Sequence, residues 1–149
     1  MFARKILFPT DGSEISARAA KAAIELASSL GIGVVALHVI PPFSLPIGDG
    51  MYGWVPAYDE QDYLKACREA AAEIMKEVEA VAKKAGVPFS SSTVTASAPW
   101  TGIIEAAKDN GCDLIVMASH GRKGLSGVLL GSETTKVLTH SKVPVLVCR

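Results

Sequence analysis

Strand-like and helix-like patterns of apolar residues alternate along this chain from one end to the other. Short apolar runs with the character of strands are expected over residues 6–9, 34–40, 92–96, 114–117 and 143–147. Apolar residues at helical spacing fill the four intervals between these runs. Parallel strands need crossover connections, and helices supply them. The sequence therefore predicts an α/β fold: a doubly wound, five-stranded parallel sheet with helices on both faces.

The predicted helices have recognisable start and stop signals. Gly31 and Gly86 follow the first two helices, as glycine often does at a helix C-terminus. Pro99 suits the first turn of the third helix, and the fourth is expected to run from about Ser132 to His140. Residues 41–58 are rich in proline, glycine and aromatic side chains, which predicts a long surface loop.

Composition argues against several classes of function. The chain has 149 residues, 49% of them hydrophobic, so we expect a single domain over residues 1–149 with one sizeable core. Fifteen basic and fifteen acidic side chains cancel. Binding to nucleic acid or to an anionic membrane needs clustered positive charge, so neither partner is expected. The expected partner is a small molecule or another protein.

Cysteine usage and hydropathy indicate the compartment. Cys67, Cys112 and Cys148 are widely spaced and form no CxxC pair, so neither a disulfide framework nor a zinc site is expected. The first residues do not resemble a signal peptide, and no segment reaches the roughly 18 apolar residues of a membrane span. We therefore expect a cytoplasmic protein.

The ends of two predicted strands are where a ligand is expected. Doubly wound sheets bind ligands beyond the carboxyl ends of their strands, at the point where the strand order reverses. Thr10-Asp11 follows the first strand, and residues 118–121 follow the fourth. Small or polar residues come after both segments, which leaves room for a bound molecule.

A glycine-rich segment after the fourth strand could hold a phosphate at two points. Ser119-His120-Gly121 leaves the strand, and nine residues separate it from Gly131-Ser132 at the start of the last helix. Glycine lets the backbone approach an anion, and a helix start offers N–H groups and the positive end of the helix dipole. On spacing alone, a flexible loop in which Gly131 and Ser132 only cap the helix is an equal alternative.

The spacing of this segment resembles the nucleotide signature of the universal stress protein family: Gly, two residues, Gly, nine residues, Gly, then Ser or Thr. The likeness spans nearly the whole chain, with Ala118 at the first glycine of the signature and Ser97 where many members carry a glycine. Three further segments carry it, namely Lys5-Ile6-Leu7-Phe8-Pro9-Thr10-Asp11-Gly12-Ser13, Leu37-His38-Val39-Ile40 and Val143-Pro144-Val145-Leu146-Val147.

The resemblance implies an ATP site built from several strand ends. Pro9, Thr10 and Asp11 would lie against the nucleoside, the Asp11 carboxylate would accept from ribose hydroxyls, and the main chain of Val39 would read the adenine edge. The phosphates, with magnesium or manganese held through them, would be surrounded by Ala118, Ser119, His120, Gly121, Arg122, Lys123, Gly124, Gly131, Ser132, Glu133 and Thr134. No residue is assigned a catalytic role.

The resemblance also implies a homodimer and a biological role. Family members commonly pair through their final strands. In this chain the predicted final strand is residues 143–147. An apolar strand at a sheet edge is an aggregation hazard if left unpaired, and two-fold pairing with a second copy removes that hazard. The implied function is that of an ATP-binding sensor or switch in stress adaptation.

Several of these residues have simpler interpretations. Asp11 could cap the first helix instead of binding ribose. His120 could contact a phosphate or face solvent, and Arg122 with Lys123 is equally an ordinary solvated basic pair. Ala118 raises a separate question, because a methyl group there disfavours a positive φ and would intrude on the phosphates.

Two nucleotide motifs can be set aside. The run Gly48-Asp49-Gly50-Met51-Tyr52-Gly53 fits GxGxxG by letter, but it neither directly follows a strand nor opens a helix, so it is not read as a dinucleotide fingerprint. The sequence contains no GxxxxGK[ST], so the machinery of the phosphate-loop NTPases is absent and fast ATP hydrolysis is not expected.

Two other classes of protein remain as alternatives. Residues 117–121 approximate a nucleophile elbow, for which His38, His140 and Asp11 are imaginable partners; an acyl-transfer enzyme is the lesser alternative. The main alternative is a dimeric interaction module that binds no nucleotide. It is supported by the apolar last strand and by Met51, Tyr52 and Trp54 in the long loop.

Overall fold

The computed structural model describes residues 2–44, 59–121, 127 and 129–149, and within them strands and helices alternate as expected. The elements are β1 (Lys5–Pro9), α1 (Glu14–Leu30), β2 (Gly33–Ile40), α2 (Glu60–Lys84), β3 (Phe89–Thr95), α3 (Pro99–Asp109), β4 (Leu114–Ala118), α4 (Ser132–His140) and β5 (Val145–Cys148). The predicted fold class is confirmed.

The five strands form one parallel sheet. Their order across the sheet is β3-β2-β1-β4-β5. From β1 the chain moves to one side of the sheet for β2 and β3, and it then crosses to the other side for β4 and β5. The strand order therefore reverses between β1 and β4, which places the switch point near the centre of the sheet.

Alternate residues of the central strands pack on opposite faces of the sheet. Ile6 and Phe8 of β1 belong to a core shared with α1 and α2. Leu7 belongs to a second core shared with α3 and α4. The same alternation separates Val116 from Met117 in β4. Because both faces of these strands are covered, their sequences are continuous apolar runs. Such runs allow the strands to be predicted from the sequence.

The helix ends follow the capping signals of the sequence. Ser13 caps α1, where its Oγ accepts from Ser16 N–H at 3.3 Å, and Asp59 caps α2. Gly31 ends α1 with a φ of 66°, a left-handed conformation that favours glycine. Within the described part of the chain, no helix is long and apolar enough to cross a membrane.

The two edge strands differ from their predicted bounds. β3 runs from Phe89 to Thr95, whereas it was predicted to start at residue 92. Its first half is rich in serines, which can be exposed because β3 is an edge strand, and which lack the apolar pattern used for the prediction. β5 begins at Val145 and not at Val143. Val143 lies in a turn, where its N–H donates to Ser141 Oγ at 3.2 Å and its carbonyl accepts from that hydroxyl at 2.8 Å. The strand proposed for dimerisation is therefore shorter at its start than predicted.

Asp113 joins the start of β4 to the start of β1. Its Oδ1 accepts from the main-chain N–H groups of Lys5 and Arg4 at 3.0 and 2.8 Å, and its Oδ2 accepts from Arg4 Nε at 3.1 Å. Since these bonds, the one from Lys5 first, favour the ionised form, they lower the pKa of Asp113 from its usual value to about 2.

We expect Asp113→Ala to lower the free energy of unfolding by about 1 kcal/mol at neutral pH, a typical net value for such hydrogen bonds. A carboxyl group whose pKa is lowered by folding stabilises the fold above its unfolded pKa, and this effect is lost as the pH falls toward the folded pKa. The difference between wild type and variant should therefore shrink between about pH 4 and pH 2.

Denaturant unfolding over this pH range measures the difference. Asp109→Ala removes an exposed carboxylate four residues away and serves as the control. A difference between Asp113→Ala and wild type that does not change with pH would contradict the assignment.

All three cysteines carry free thiols. Cys112 is packed in the second core, and burial raises the pKa of its thiol to about 11. Burial also raises the pKa of the half-buried Cys148. Cys112 and Cys148 are therefore un-ionised at neutral pH and have a structural role in the core.

Candidate functional site

The strands on either side of β1 extend past its end. β2 continues three residues beyond Leu37, which pairs with Pro9 at the end of β1. β4 pairs Ile115 with Leu7, so it ends at Ala118, about one residue past the level of Pro9. β2 remains paired with β3 over this stretch, and β4 with β5. We call the space bounded by residues 9–11, 39–40 and 118–121 the switch-point crevice. It lies where a doubly wound sheet is expected to bind a ligand.

Thr10 and Asp11 form the turn between β1 and α1. Thr10 N–H donates to the Leu37 carbonyl at 2.8 Å, and Gly12 N–H donates to Thr10 Oγ1 at 3.2 Å. Asp11 Oδ1 accepts from Ser13 N–H at 3.0 Å. The N-cap of α1 is Ser13, so the interpretation of Asp11 as the helix cap is wrong. Asp11 instead orders the turn and places a carboxylate at the edge of the crevice.

Gly121 lies directly against Asp11. A Cβ on Gly121 would overlap Asp11 Oδ2 and would be 3.4 Å from Asp11 Cγ. Only a residue without a side chain permits this approach. The segment after β1 and the segment after β4, which were selected separately from the sequence, are thus in contact in the folded chain.

Ser119 is bonded within the protein through all of its polar groups. Its N–H donates to the Cys148 carbonyl at 2.7 Å, its carbonyl accepts from Gly131 N–H at 2.7 Å, and its Oγ is 3.0 Å from His120 Nδ1. Ser119 is 1% exposed, whereas His120 is half-buried. Ser119 therefore shapes the wall of the crevice, and its side chain has no exposed face for a ligand.

Gly131 packs tightly against the segment after β4. A Cβ on Gly131 would lie 3.1 Å from Cα and Cβ of His120 and 3.4 Å from the Ser119 carbonyl oxygen. The φ of Gly131 is −68°, which any residue can adopt, so the requirement for glycine here is one of space. The chain between Gly121 and Gly131 therefore starts and ends at adjacent points.

The start of α4 has no side-chain cap from the described residues. In the other helices of the described chain a side chain takes this place: Ser13 in α1, Asp59 in α2 and Glu133 in α3. The first-turn N–H groups of α4, beginning at the exposed Ser132, therefore donate to no capping side chain among the described residues. These N–H groups form the positive end of the helix dipole.

Two predicted phosphate residues use their side chains elsewhere. Glu133 Oε2 accepts from Trp100 N–H at the start of α3, at 2.8 Å, and its Oε1 is 3.4 Å from Lys136 Nζ. Thr134 is 2% exposed, and its hydroxyl donates to the Ala118 carbonyl at 3.1 Å. Glu133 and Thr134 could therefore serve a ligand at the start of α4 through their main-chain N–H groups.

Ala118 is the last residue of β4 and is paired with Cys148. Its backbone is that of a strand, and its methyl group is buried in the core shared with α1 and α2. The expectation that alanine at this position conflicts with a positive φ is therefore wrong, whereas the expectation that its methyl group intrudes on the phosphates stays a prediction. The strand needs no positive φ, and the methyl group packs in the core.

The main chain of Val39 faces the crevice. The Leu37 carbonyl accepts from Thr10 on the β1 side, whereas the Ile40 carbonyl accepts from Ala96 N–H on the β3 side. Because the main-chain groups of successive strand residues point to alternate sides, those of Val39 point toward the β1 side. β1 has ended at this level, and no main-chain bond from a described residue reaches Val39 from there.

Part of the predicted site lies outside the described residues. This applies to Arg122, Lys123 and Gly124, and to residues 45–58 of the long loop with its aromatic side chains and its GxGxxG run. Their roles stay predictions. Where the chain is described, no three His, Cys, Asp or Glu side chains are grouped so that they could hold a metal ion.

The geometry does not support a nucleophile elbow at Ser119. A nucleophilic serine must be reachable by its substrate, whereas Ser119 is buried. His140 stacks on Trp100 with ring centroids 4.6 Å apart. His38 Nδ1 is bonded to the Thr10 carbonyl at 2.9 Å. Sequence reasoning missed this bond, for which the signal is a histidine inside an otherwise apolar strand.

The fold and the crevice define a doubly wound α/β protein of the class whose ligands bind at the switch point between the first and fourth strands. The sequence profile of the universal stress protein family matches residues 3–149. The chain belongs to the universal stress protein family.

Individual relatives agree with this assignment. Universal stress protein MJ0531 of Methanocaldococcus jannaschii is 33% identical over 98% of this chain and 82% of its own length. Universal stress protein MJ0577 of the same organism is 34% identical over 98% of this chain and 94% of its own length.

Solved structures show the same fold. That of MJ0577 superposes with a TM-score of 0.81 and 30% identity, covering 99% of this chain and 96% of the other. A universal stress protein in complex with cAMP superposes with a TM-score of 0.72, covering 100% of this chain and 98% of the other. The latter is 23% identical, which establishes a likeness of fold.

Proposed function

We propose that this chain binds ATP in the switch-point crevice and acts as a nucleotide-dependent sensor or switch in stress adaptation. The observation that carries the proposal is the contact of Gly121 with Asp11, which joins a carboxylate after β1 to a glycine-rich segment after β4. In this proposal the site is formed within one cytoplasmic domain over residues 1–149.

The nucleoside half of the proposed site consists of Pro9, Thr10, Asp11 and Val39. Asp11 accepts from Ser13 N–H, but an ionised carboxylate offers about four acceptor positions, so that bond is compatible with further bonds to ribose hydroxyls. Val39 presents a main-chain donor and acceptor side by side. An adenine base offers an acceptor and an amino donor on one edge and can pair with such groups.

The phosphate half consists of the segment after β4 and the start of α4. Gly121 and Gly131 both lie where a side chain would displace a neighbour, so the chain on this side of the crevice is packed closely. The first N–H groups of α4, from Ser132 onward, have no side-chain cap from the described residues. N–H groups at a helix start point outward along the helix axis and can donate to a phosphate. Arg122 and Lys123 would add positive charge.

Magnesium or manganese would be held through the phosphates in this proposal. The described residues offer no group of three potential ligands, and an ion bridging phosphate oxygens needs few protein ligands. A universal stress protein of the same fold holds cAMP, which is also an adenine nucleotide. The residues of the crevice, and not that likeness, carry the argument for ATP.

Equilibrium dialysis with ATP separates this function from that of an interaction module without nucleotide. We expect saturable binding of one ATP per chain, in the presence of magnesium. Absence of binding by folded protein would contradict the proposal and favour the interaction module.

We further propose a homodimer paired through β5. β5 forms one edge of the sheet, and its Leu146 is 45% exposed. An apolar edge strand offers unpaired main-chain groups, which a two-fold copy of the same strand can satisfy.

Leu146→Lys is expected to weaken this dimer by at least about tenfold, since a charge would be placed in the paired edge. Leu30→Lys is a matched control, because Leu30 is 38% exposed but lies at the end of α1. Sedimentation equilibrium gives the mass in solution, to be compared with 15.6 kDa for one chain. A wild-type protein that is monomeric at high concentration would contradict the proposal.

A further inference from the structure

The hydrogen-bond ladder between β1 and β2 ends one bond earlier than the register of the two strands would allow. In a parallel pair, a residue on one strand accepts from and donates to residues two apart on the other. The last bond of this ladder runs from Thr10 N–H to the Leu37 carbonyl. The next would run from Val39 N–H to the Thr10 carbonyl. That bond is not formed, and the register ends at Pro9 with Leu37.

A side chain takes the place of the missing main-chain donor. His38 Nδ1 lies 2.9 Å from the Thr10 carbonyl oxygen. A carbonyl oxygen only accepts, so Nδ1 must carry the hydrogen in this bond. Histidine provides this arrangement because Nδ1 is close to its own backbone and can reach a carbonyl of the adjacent strand. The Thr10 carbonyl is thus satisfied without Val39.

We propose that His38 is a positioning residue that ends the β1–β2 ladder and so keeps the main-chain N–H of Val39 available to an adenine base. The second half of this inference rests on the proposed function, whereas the first half concerns the protein without ligand. Buried main-chain groups rarely stay unpaired. Without the His38 donor, the Thr10 carbonyl would pair with Val39 N–H, its next partner in the register of the two strands.

Selectivity for the base follows from the same geometry. Val39 offers one donor and one acceptor in a fixed order along β2, and adenine presents the complementary acceptor and amino donor. Guanine presents a carbonyl acceptor where adenine has its amino group. A ladder extended by one bond would occupy the Val39 N–H, and discrimination between the two bases would fall with the affinity.

NMR of the protein without nucleotide tests the positioning role directly. In the wild type we expect the Nδ1-protonated form of the His38 imidazole, rapid hydrogen exchange at the Val39 amide, and no coupling across a bond between Val39 N and the Thr10 carbonyl carbon. In His38→Leu we expect that coupling to appear and exchange at Val39 to slow at least tenfold. His38→Asn should resemble wild type, because Asn Nδ2 occupies nearly the position of His Nδ1.

Each possible result decides the question. A wild-type Val39 amide that is protected and coupled to Thr10 would overturn the proposal without any variant, even if His38→Leu fails to fold. A folded His38→Leu whose Val39 amide exchanges as in wild type would also overturn it. Circular dichroism and thermal unfolding establish that the variants are folded.

Nucleotide binding tests the second half. We expect His38→Leu to bind ATP about tenfold more weakly, as loss of one or two hydrogen bonds implies, and to discriminate less between ATP and GTP. His38→Asn should recover both properties. His140→Leu is the control for loss of a histidine, because His140 is exposed at the end of α4.

Failure of this inference and failure of the proposed function give different results. If the Val39 amide responds as expected but no form of the protein binds ATP, the ladder role of His38 stands and the ATP function fails. If His38→Leu binds ATP like wild type with an unchanged ATP to GTP ratio, the role of His38 in base selection fails and the ATP function stands.

Discussion

Gly131→Val is expected to weaken ATP binding by about 10- to 100-fold, the equivalent of losing one or two hydrogen bonds to a charged group. A Cβ at this position would be 3.1 Å from both Cα and Cβ of His120. To admit a valine these atoms must give by a few tenths of an ångström, which would shift the segment from Ser119 to Gly121 relative to the start of α4. The phosphate half of the proposed site is assembled from those two pieces.

Gly33→Val is the matched control for this substitution. A Cβ on Gly33 would lie 3.3 Å from the Pro88 carbonyl oxygen, a comparably tight contact. Gly33 starts β2, at the opposite end of the strand from the crevice. We expect the Gly33→Val variant to lose stability while keeping its affinity for ATP. Equal ATP affinity in wild type and folded Gly131→Val would count against the phosphate site.

Asp11→Ala is expected to cost about 1 to 3 kcal/mol of ATP binding, or roughly 5- to 150-fold in affinity, the range for hydrogen bonds that involve a charged group. The reason is loss of the proposed acceptor for the ribose hydroxyls. Wild type should therefore prefer ATP to 2′-deoxy-ATP, and the variant should discriminate less between them. Isothermal titration calorimetry measures all four affinities.

Asp11→Asn separates ligand binding from the local structure. Its side-chain oxygen can still accept from Ser13 N–H, so the turn before α1 should be retained. The charge is lost, so ATP affinity should still fall. If Asp11→Ala is destabilised but binds ATP and its deoxy form like wild type, then Asp11 only orders the turn.

The extent to which the fold could be predicted depends on how local each signal is. α4 was predicted from Ser132 to His140 and has those bounds, because Gly131 and Ser132 mark its start in the sequence itself. β3 was predicted too short because serines at an exposed edge lack the apolar pattern of a buried strand. β5 was predicted too long because Val143 is apolar but is held in a turn by Ser141.

The candidate site divides in the same way. Asp11 was predicted from its position after the first strand and Gly121 from the motif spacing, and the folded chain brings the two into contact. Spacing could not show that Glu133 caps α3 at Trp100, or that the Thr134 hydroxyl binds the Ala118 carbonyl. Such partners are far apart in sequence and become neighbours only when helices pack. The bond from His38 to Thr10 is hidden for the same reason.

Titration of ATP into isotope-labelled protein, followed amide by amide with NMR, tests the proposed site most directly. We expect saturable shift changes at Thr10, Asp11, Val39 and Gly121 and at residues 131–134. The amides of residues 76–84, the C-terminal part of α2, precede the start of β3 at the opposite end of the sheet from the crevice. They should change little and serve as the internal reference. Shift changes confined to these residues or to the N-terminal ends of the strands, or no changes at saturating ATP, would contradict the account.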